Sequence, residues 1–304
     1  MRIGIVGGGG FIGSWLFREL SQMGHDIVIV DNMSFMKRDR GLTMEMVDKT
    51  LRFREKLMGG SQMVYPNFED MPAVDYIVHL AADAVEYPAG DERQYLQFVG
   101  DNDINIKVVR YCMRHHVPML FMSSIFAIGD FLDKADEEVP LEPTTTYGNV
   151  KASCEHLMKA YLEEYAIIRS TSVYGVGDLN NRATSAIMRA ALYGTGVRLN
   201  THSKMQFTYV ENLVKILAAT INDGRVGTWN IVDDAYMNLV EFAQAVKSVT
   251  GAKFAIEEYS VKDRPDRGEL DTLRMKTYFS GVPQKKTEEA IKEYWNQAND
   301  WGVA

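Results

Sequence analysis

RIGIVGGGGFIG, residues 2–13, decides the fold of this chain. Its apolar beginning predicts a buried strand over Arg2–Val6, and the apolar periodicity that follows predicts a helix over Phe11–Met23. Three glycines join these two elements: Gly7, Gly10 and Gly13. Glycine is needed where a backbone turns sharply, approaches a phosphate or packs closely against a strand. Because the N-terminus of a helix attracts anions, the stretch predicts a binding site for the pyrophosphate of a dinucleotide.

The rest of the first half alternates short apolar runs with longer amphipathic segments. The runs predict strands at 26–30, 74–80, 118–122 and 166–169, and the segments predict helices at 42–57, 95–115 and 147–164. This alternation predicts an α/β fold built on a doubly wound parallel sheet of the Rossmann type, with right-handed crossovers. After Tyr174 this regular alternation ends. The sequence there predicts one strand at 228–232 and helices at 182–192, 211–222, 239–249 and 287–296.

The end of the strand–helix alternation after Tyr174 predicts two domains. We expect a dinucleotide-binding domain over residues 1–170, which also takes in the region around 205–232. We expect a smaller C-terminal α/β domain over residues 171–304, which binds the substrate. No repeat or low-complexity linker separates them, so the second domain is expected to be woven onto the first.

The composition excludes several classes of protein. Hydrophobic residues make up 46% of the 304 positions, which suffices for a packed core. The net charge is −8 and no run of Lys or Arg occurs, so we expect neither nucleic acid nor an anionic membrane as partner. No signal peptide or segment of membrane-spanning length is found, and Cys112 and Cys154 suggest no disulfide framework, so we expect a cytoplasmic protein. Cys112 and His116 are only two metal ligands, so we predict no metal site.

Asp31 ends the second predicted strand, 18 residues beyond Gly13 (31 − 13). A carboxylate at this place accepts hydrogen bonds from the adenosine ribose hydroxyls and repels a 2′-phosphate. Asp31, with Asn32 beside it, therefore favours NAD over NADP as the cofactor. Lys37 and Arg38 could attract a 2′-phosphate, but we interpret them as part of a solvated loop.

Tyr147 and Lys151 lie four residues apart in YGNVK, at the start of a predicted helix, so both side chains share one helical face. A tyrosine hydroxyl is a weak base at neutral pH, with a pKa of about 10, and a nearby ammonium group stabilises its ionised form. Ser124 directly follows a predicted strand and can donate a hydrogen bond to a substrate oxygen that gains charge. The three residues predict proton transfer to and from the hydroxyl of a secondary alcohol.

Together these motifs resemble the extended short-chain dehydrogenase/reductase family, in its NAD-dependent epimerase/dehydratase branch. The resemblance runs through nearly the whole chain, in GGGGFIG at 7–13, DN at 31–32, VHLAA at 78–82, SSIFAIG at 123–129, PTTTYGNVK at 143–151, RSTSVYG at 169–175 and FTYVEN at 207–212. It implies that Ser124, Tyr147 and Lys151 are the catalytic set, and that the smaller domain binds a nucleotide-sugar. It also implies NAD contacts from Gly7, Gly10, Phe11, Ile12, Gly13, Asp31, Asn32, Leu80, Ala81, Ala82, Asn102, Tyr147 and Lys151.

Two departures from the family bear on the reaction and the substrate. Dehydratases of the family carry an acidic pair directly after the residue that matches Ser124, and Ile125 and Phe126 stand there instead. Because elimination of water needs an acid and a base beyond the tyrosine, a dehydratase is disfavoured. At the expected diphosphate site, Ser172 replaces an asparagine and Met205 replaces an arginine that many epimerases have, so other cations must bind an anionic substrate. The predicted substrate-binding residues are Ser124, Ser172, Arg264 and Arg267, with Lys204 and Arg198 as further candidate cations.

Three hypotheses about function follow. The favoured one is a nucleotide-sugar epimerase resembling UDP-glucose 4-epimerases, which oxidises a sugar hydroxyl and returns the hydride to the other face. The alternative is a dehydrogenase or reductase of a sugar or other secondary alcohol that releases NADH. The last is a dinucleotide-sensing regulator without catalysis, which the presence of both Tyr147 and Lys151 disfavours. In this family two long helices of each subunit form a four-helix bundle, so we also expect a homodimer built on the helices 95–115 and 147–164.

Overall fold

The structure is a computed structural model that describes residues 1–34, 42–60, 62–83, 91–131, 133–180, 182–202, 204–261 and 268–303. Its strands are β1 (Arg2–Val6), β2 (Asp26–Val30), β3 (Val64–Tyr65), β4 (Tyr76–His79), β5 (Met119–Met122), β6 (Tyr165–Arg169), β7 (Ser172–Tyr174), β8 (Gly196–Asn200), β9 (Met205–Tyr209), β10 (Gly227–Asn230), β11 (Tyr236–Met237) and β12 (Ala255–Tyr259). Its α-helices are α1 (Phe11–Gln22), α2 (Met44–Leu57), α3 (Glu92–His115), α4 (Thr146–Tyr161), α5 (Ala183–Tyr193), α6 (Val210–Asn222), α7 (Leu239–Thr250), α8 (Leu273–Tyr278) and α9 (Thr287–Trp301). Short 3-10 helices cover Phe68–Asp70 and Ile125–Ala127.

The central sheet has seven strands in the order β10-β6-β5-β4-β1-β2-β3, and every pairing in it is parallel. The strand order reverses between β1 and β4, which is where ligands bind in open α/β sheets, outside the carboxyl ends of the strands. The predicted doubly wound parallel sheet is therefore confirmed, and the glycine-rich turn lies at this reversal.

Alternate side chains of the strands face two layers of helices, as the two-residue repeat of a strand requires. Ile5 and Leu120 belong to one buried cluster, with Trp15 of α1 and Leu213 of α6. Ile77 and Phe121 belong to the other, with Val108 of α3 and Met158 of α4. Because β10 extends the sheet beside β6 and α6 packs on α1, residues 210–230 belong to the sheet and its helix layer. The division of the chain into two domains stays a prediction.

Two smaller sheets hold most of the strands that the sequence did not predict, and the two-residue β3 at the edge of the central sheet is another. In one, β9 pairs with β7 in parallel and with β11 in antiparallel orientation. In the other, β8 pairs in parallel with β12, some 60 residues later in the chain (Gly196 with Ala255). Their partners are distant in sequence, and two of these strands, β7 and β11, are only three and two residues long, so local periodicity could not reveal them.

None of the helices in the described part of the chain combines the length and the apolar character needed to cross a membrane. The described residues also contain no cluster of three or more His, Cys, Asp or Glu side chains that could hold a metal ion. Cys112 and Cys154 are both buried free thiols.

The exposed face of α3 carries an apolar stripe that supports the predicted homodimer. Tyr95, Val99, Ile106 and Met113 are spaced by four or seven residues, and each is between 42% and 67% exposed. Such spacing places them on one side of the helix, where they are largely exposed.

We predict that light scattering at micromolar concentration gives a dimer mass, and that Ile106→Glu gives a monomer because a charge there would be buried at the interface. Met44→Glu, at an exposed position of α2, is the control that should stay dimeric, and a monomeric wild type would contradict the prediction.

Candidate active site

A cavity of about 690 Å³ opens at the carboxyl ends of the central strands. Its volume is typical of a site for a small molecule or cofactor. Residues that follow five neighbouring parallel strands line it: Gly7 after β1, Asp31 after β2, Leu80 after β4, Ser123 after β5 and Ser170 after β6. The cavity therefore joins most of the motifs that the sequence singled out.

The glycine-rich turn between β1 and α1 is packed too closely to hold side chains. Gly7 has a φ of +86°, and a Cβ atom added to it would lie 2.6 Å from the backbone nitrogen of Ala81. A Cβ added to Gly13 would lie 2.6 Å from the carbonyl oxygen of Gly7. Gly10 is the N-cap of α1 and offers no side-chain acceptor, so the first N–H groups of this helix remain for a ligand. Phe11 and Ile12 of the same turn line the cavity, so the turn fits the diphosphate of a dinucleotide.

Asp31 forms one end of the cavity, with Asn32 beside it. One oxygen of its carboxylate accepts a hydrogen bond from the Met33 N–H at 2.7 Å, and the other accepts one from the Gly9 N–H at 3.0 Å. Burial raises the pKa of Asp31 above its usual value, while these two N–H groups and the charge of Arg54 oppose the shift. The carboxylate is thus tied to the glycine-rich turn and retains lone pairs for the hydroxyls of a ribose.

We predict that the protein binds NAD more tightly than NADP. We also predict that Asp31→Ala brings the dissociation constants of the two cofactors closer together. The substitution removes the charge that repels a 2′-phosphate, while Arg54 keeps a positive charge close by. Titration of both cofactors gives the dissociation constants that test this. Asp26→Ala, at the exposed start of the same strand, is the matched control and should change neither constant. A wild type that binds both cofactors equally would contradict the prediction.

Several residues at the Asp31 end of the cavity were missed by the sequence analysis. Asn67, Phe68 and Glu69 line it where the chain leaves β3, and Arg54 lines it from α2. Arg54 is 3% exposed and donates hydrogen bonds to the carbonyl oxygens of Gly177 at 2.8 Å and Gly9 at 3.0 Å. Nothing in the helical pattern of α2 distinguishes this arginine from the exposed Arg52, so its role emerges only from the fold.

The first two turns of α4 bring Tyr147 and Lys151 to the cavity. The side chain of Thr145 caps this helix by accepting a hydrogen bond from the Gly148 N–H at 3.0 Å. Lys151 is 2% exposed, and its Nζ donates to the carbonyl oxygen of Met122 at 2.7 Å. The same Nζ lies 5.5 Å from the centre of the Tyr147 ring, so the ammonium charge is held beside the tyrosine.

Ser124 reaches the cavity from the turn after β5. Its hydroxyl oxygen accepts a hydrogen bond from the Phe126 N–H at 3.3 Å, which leaves the hydroxyl proton for a ligand. The Phe126 ring contacts the Tyr147 ring edge to face, with centres 5.7 Å apart, and Ile125 is buried. The two positions after the serine therefore carry apolar side chains, and one of them packs on the catalytic tyrosine.

A buried ion pair supports the turn that carries the serines. Ser123 donates a hydrogen bond to Glu155 at 2.5 Å, and Glu155 pairs with Arg169 at 2.9 and 3.1 Å. The side chains of the pair are 0% and 1% exposed. Arg169 also donates to the carbonyl oxygen of Glu137, so this network joins α4 to β6 beneath the site.

His79 and Asn105 tie the helix of Tyr147 and Lys151 to the sheet. His79 is fully buried at the end of β4, and its Nε2 contacts Oδ1 of Asn105 at 2.8 Å. Burial and, to a smaller extent, the charge of Lys151 lower the pKa of His79 to about 3, although the bond to Asn105 opposes the shift, so this histidine is neutral at neutral pH. The amide of Asn105 also donates to the carbonyl oxygen of Val150 in α4 at 3.4 Å.

The structure does not bring every predicted residue to the cavity. Leu80, Ala81 and Ala82 line it as predicted, but Asn102 and Ser172 do not. The amide of Asn102 donates to the carbonyl oxygen of Phe98 in its own helix. Ser172 lies in β7, where it is paired with Phe207 of β9. Arg264 and Arg267 lie outside the described residues.

Comparison with known proteins adds to this geometry. Residues 3–231 match the family model described as the NAD dependent epimerase/dehydratase family. The chain is 26% identical to UDP-glucuronic acid decarboxylase 1 of Xenopus tropicalis, over 98% of this chain and 74% of that protein. It is 23% identical to the dTDP-D-glucose 4,6-dehydratase of Homo sapiens, over 87% of this chain and 79% of that protein.

Solved structures share the fold. The UDP-glucuronic acid 4-epimerase of Bacillus cereus, in complex with UDP-glucuronic acid and NAD, superposes with a TM-score of 0.81 at 17% identity, over 99% of both chains. A dTDP-4-dehydrorhamnose reductase from Clostridium acetobutylicum superposes with a TM-score of 0.73 at 16% identity, over 98% of this chain and 99% of that one. These relatives catalyse different reactions, so similarity alone does not select one of them.

Proposed function

The chain belongs to the NAD-dependent epimerase/dehydratase family, enzymes that act on nucleotide sugars, and we propose that it is a nucleotide-sugar 4-epimerase. The observation that carries the proposal is the composition of the cavity. Tyr147, Lys151 and Ser124 meet next to a glycine-rich turn that fits a dinucleotide, and the two residues after the serine are apolar. The site thus contains the groups for oxidation and reduction at a hydroxyl-bearing carbon.

Each residue has one task in this reaction. Ionised Tyr147 takes the proton of the sugar hydroxyl, and its neighbour Lys151 stabilises the ionised phenol by its positive charge. Ser124 donates its hydroxyl proton in a hydrogen bond to the same sugar oxygen as that oxygen becomes a carbonyl. The glycine-rich turn and Asp31 would hold NAD, which would supply the hydride chemistry at the sugar carbon in both directions. Tyr147 then returns the proton to the oxygen, after the sugar has presented its other face.

The apolar positions after Ser124 favour epimerisation over dehydration. Ile125 is buried, and Phe126 packs on the Tyr147 ring. A dehydratase needs a further acid and base to remove water, and neither side chain can supply a proton. The residues at this site therefore support reduction of the ketone that the oxidation forms.

Product analysis with the purified protein tests the proposal. UDP-glucose and UDP-glucuronic acid are offered in turn, and we expect the 4-epimer to form without net production of NADH, while NAD stays bound through purification. Stoichiometric NADH would instead assign a dehydrogenase, and release of CO₂ from UDP-glucuronic acid would assign a decarboxylase. Binding of NAD without any turnover would favour the non-catalytic regulator. Each of these three results would overturn the epimerase.

A further inference from the structure

Arg54 is a buried cation at the Asp31 end of the cavity. Its side chain reaches from α2 to two separate loops, where Nε donates to the carbonyl oxygen of Gly177 at 2.8 Å and Nη1 donates to that of Gly9 at 3.0 Å. The residue is only 3% exposed, so water competes little with these hydrogen bonds. Gly9 belongs to the glycine-rich turn, whereas Gly177 follows β7. The guanidinium group therefore joins two segments that are far apart in sequence.

The segment that contains Gly177 is itself packed against the first two helices. The carbonyl oxygen of Val176 accepts a hydrogen bond from Nε1 of Trp15 in α1 at 2.9 Å. A Cβ atom added to Gly177 would lie 3.4 Å from the ring of Phe53 in α2. Because both acceptors of Arg54 are backbone atoms of packed segments, the guanidinium group and its charge are held in a fixed place.

Gly9 connects Arg54 to the carboxylate that would bind the cofactor ribose. The N–H of Gly9 donates to Oδ2 of Asp31 at 3.0 Å, while the carbonyl oxygen of the same glycine accepts from Arg54. Burial raises the pKa of Asp31, and the charge of Arg54 opposes this shift together with the N–H groups of Met33 and Gly9. Arg54 thus acts on Asp31 in two ways, by holding Gly9 and by its positive charge.

The other charged groups at this end do not act on Asp31 in the same way. Glu69 follows β3 and lines the cavity, but it pairs with Lys107 of α3 at 3.3 Å. From β3 itself, the carbonyl oxygen of Tyr65 accepts a hydrogen bond from the Asp31 N–H at 3.0 Å. The glycine-rich turn at 7–13 has no charged side chain. Among the described residues, Arg54 is therefore the charged side chain that favours the ionised form of Asp31.

We propose that Arg54 is a positioning residue for the cofactor, which holds the Asp31 carboxylate in place and in its charged form for the hydroxyls of the adenosine ribose. A hydroxyl donates a stronger hydrogen bond to a carboxylate than to a neutral acceptor, so the charge on Asp31 contributes to the affinity for NAD. Arg54 acts through Asp31 and Gly9 and takes no part in proton transfer at Tyr147. The inference therefore holds whichever reaction the site catalyses.

The pH dependence of NAD binding tests this role. Without the charge of Arg54, the pKa of Asp31 rises further above its usual value, so the carboxylate takes up a proton sooner as the pH falls. NAD binding should then weaken in mild acid and recover at mildly alkaline pH, where Asp31 is ionised in any case. An arginine that only supports the fold would instead weaken binding equally at both pH values.

The full-length protein, freed of bound nucleotide, is titrated calorimetrically with NAD at both pH values. Arg54→Gln removes the charge but keeps an amide that can donate to the Gly9 carbonyl oxygen, and Arg54→Lys keeps the charge. Arg52→Gln is the matched control, because it removes an arginine of the same helix that is 71% exposed and paired with Asp48. We expect Arg54→Gln to raise the dissociation constant of NAD by roughly tenfold in mild acid and by less at alkaline pH.

Two further variants are expected to isolate the effect of the charge. Arg54→Lys should show the pH profile of the wild type, and it keeps the inference falsifiable if Arg54→Gln does not fold. Asp31→Asn keeps an oxygen acceptor but cannot ionise, so in this background Arg54→Gln should weaken NAD binding equally at both pH values. The control Arg52→Gln should bind NAD as the wild type does.

Three results would overturn the inference. If Arg54→Gln leaves the dissociation constant of NAD unchanged, or raises it equally at both pH values, Arg54 does not act on the charge of Asp31. If Arg54→Lys loses affinity in mild acid as Arg54→Gln does, the positive charge is not what the site requires. If Arg54→Gln still weakens binding more in acid in the Asp31→Asn background, it acts through another group. The products formed from a nucleotide sugar are measured separately, so none of these results bears on the epimerase proposal.

Discussion

Tyr147→Phe is expected to abolish turnover of the nucleotide sugar and to leave NAD bound. The substitution removes one oxygen atom and retains the ring that contacts Phe126 and lies beside Lys151. Proton transfer by a positioned side chain contributes about 10²–10⁴-fold to a rate, so kcat should fall by at least about a hundredfold. The glycine-rich turn and Asp31 are untouched, so the dissociation constant of NAD should stay close to that of the wild type. Steady-state kinetics and NAD titration measure both quantities.

The same helix provides the control for this experiment. Tyr161→Phe removes the hydroxyl of the last residue of α4, which is 59% exposed and far along the chain from the site. It should retain the full rate, which shows that loss of a tyrosine hydroxyl from α4 does not itself impair the enzyme. A Tyr147→Phe enzyme that keeps about a tenth or more of the rate would mean that another group takes the proton.

Six of the seven strands of the central sheet were predictable because these strands are buried within the sheet, whereas the two-residue edge strand β3 was not predicted. Such strands are short continuous apolar runs, and VDYIVHL at 74–80 and IVIV at 27–30 are examples. The helices between them carry the usual amphipathic period, so their positions also follow from local sequence. The small sheets behave differently, since β8 is stabilised by pairing with β12 and its residues GVRLN have little apolar pattern of their own.

The candidate site divides in a similar way. Its cofactor end could be predicted because Gly7, Gly10, Gly13 and Asp31 directly follow two strands, and parallel strands end at the same edge of the sheet. It is harder to predict which residue of a helix contacts a site, because residues one turn apart lie on the same face of the helix. Asn102 was predicted to contact the cofactor, yet Asn105, three residues later, is the buried one that joins α3 to His79.

Contacts between distant residues could not be predicted at all. Arg182 is the N-cap of α5 and looks like an ordinary polar start to a helix until Val173 and Asp178 are placed beside it. Glu155 and Arg169 are charged residues in an amphipathic helix and at the end of a strand, and the sequence gives no sign that they are buried together. Burial of a charge depends on its partner, which only the fold supplies.

Removing either member of the Glu155–Arg169 pair is expected to destabilise the fold by about 3–5 kcal/mol, because the remaining charge stays buried without its partner. Arg169→Met leaves Glu155 with the hydroxyl of Ser123 and with Lys159, whose Nζ is 3.8 Å away, so neither replaces the two close bonds from the guanidinium. Glu155→Leu leaves the arginine charge enclosed between α4 and β6. Urea denaturation measures the free energy of unfolding of each variant.

The double variant Glu155→Leu/Arg169→Met separates the loss of a charge pair from the loss of packing. Because replacing both members of a buried pair by apolar groups is often nearly neutral, the double variant should be more stable than either single variant. The exposed pair of Arg198 and Glu257, whose side chains are 66% and 72% exposed, is the matched control, and Arg198→Met should cost only about 0–1 kcal/mol. If the Arg169→Met protein is as stable as this control, or if the two single effects simply add, then the buried pair is not a coupled unit. The hydrogen bond from Ser123 to Glu155 would then give no support to the idea that this charge pair holds the catalytic turn in place.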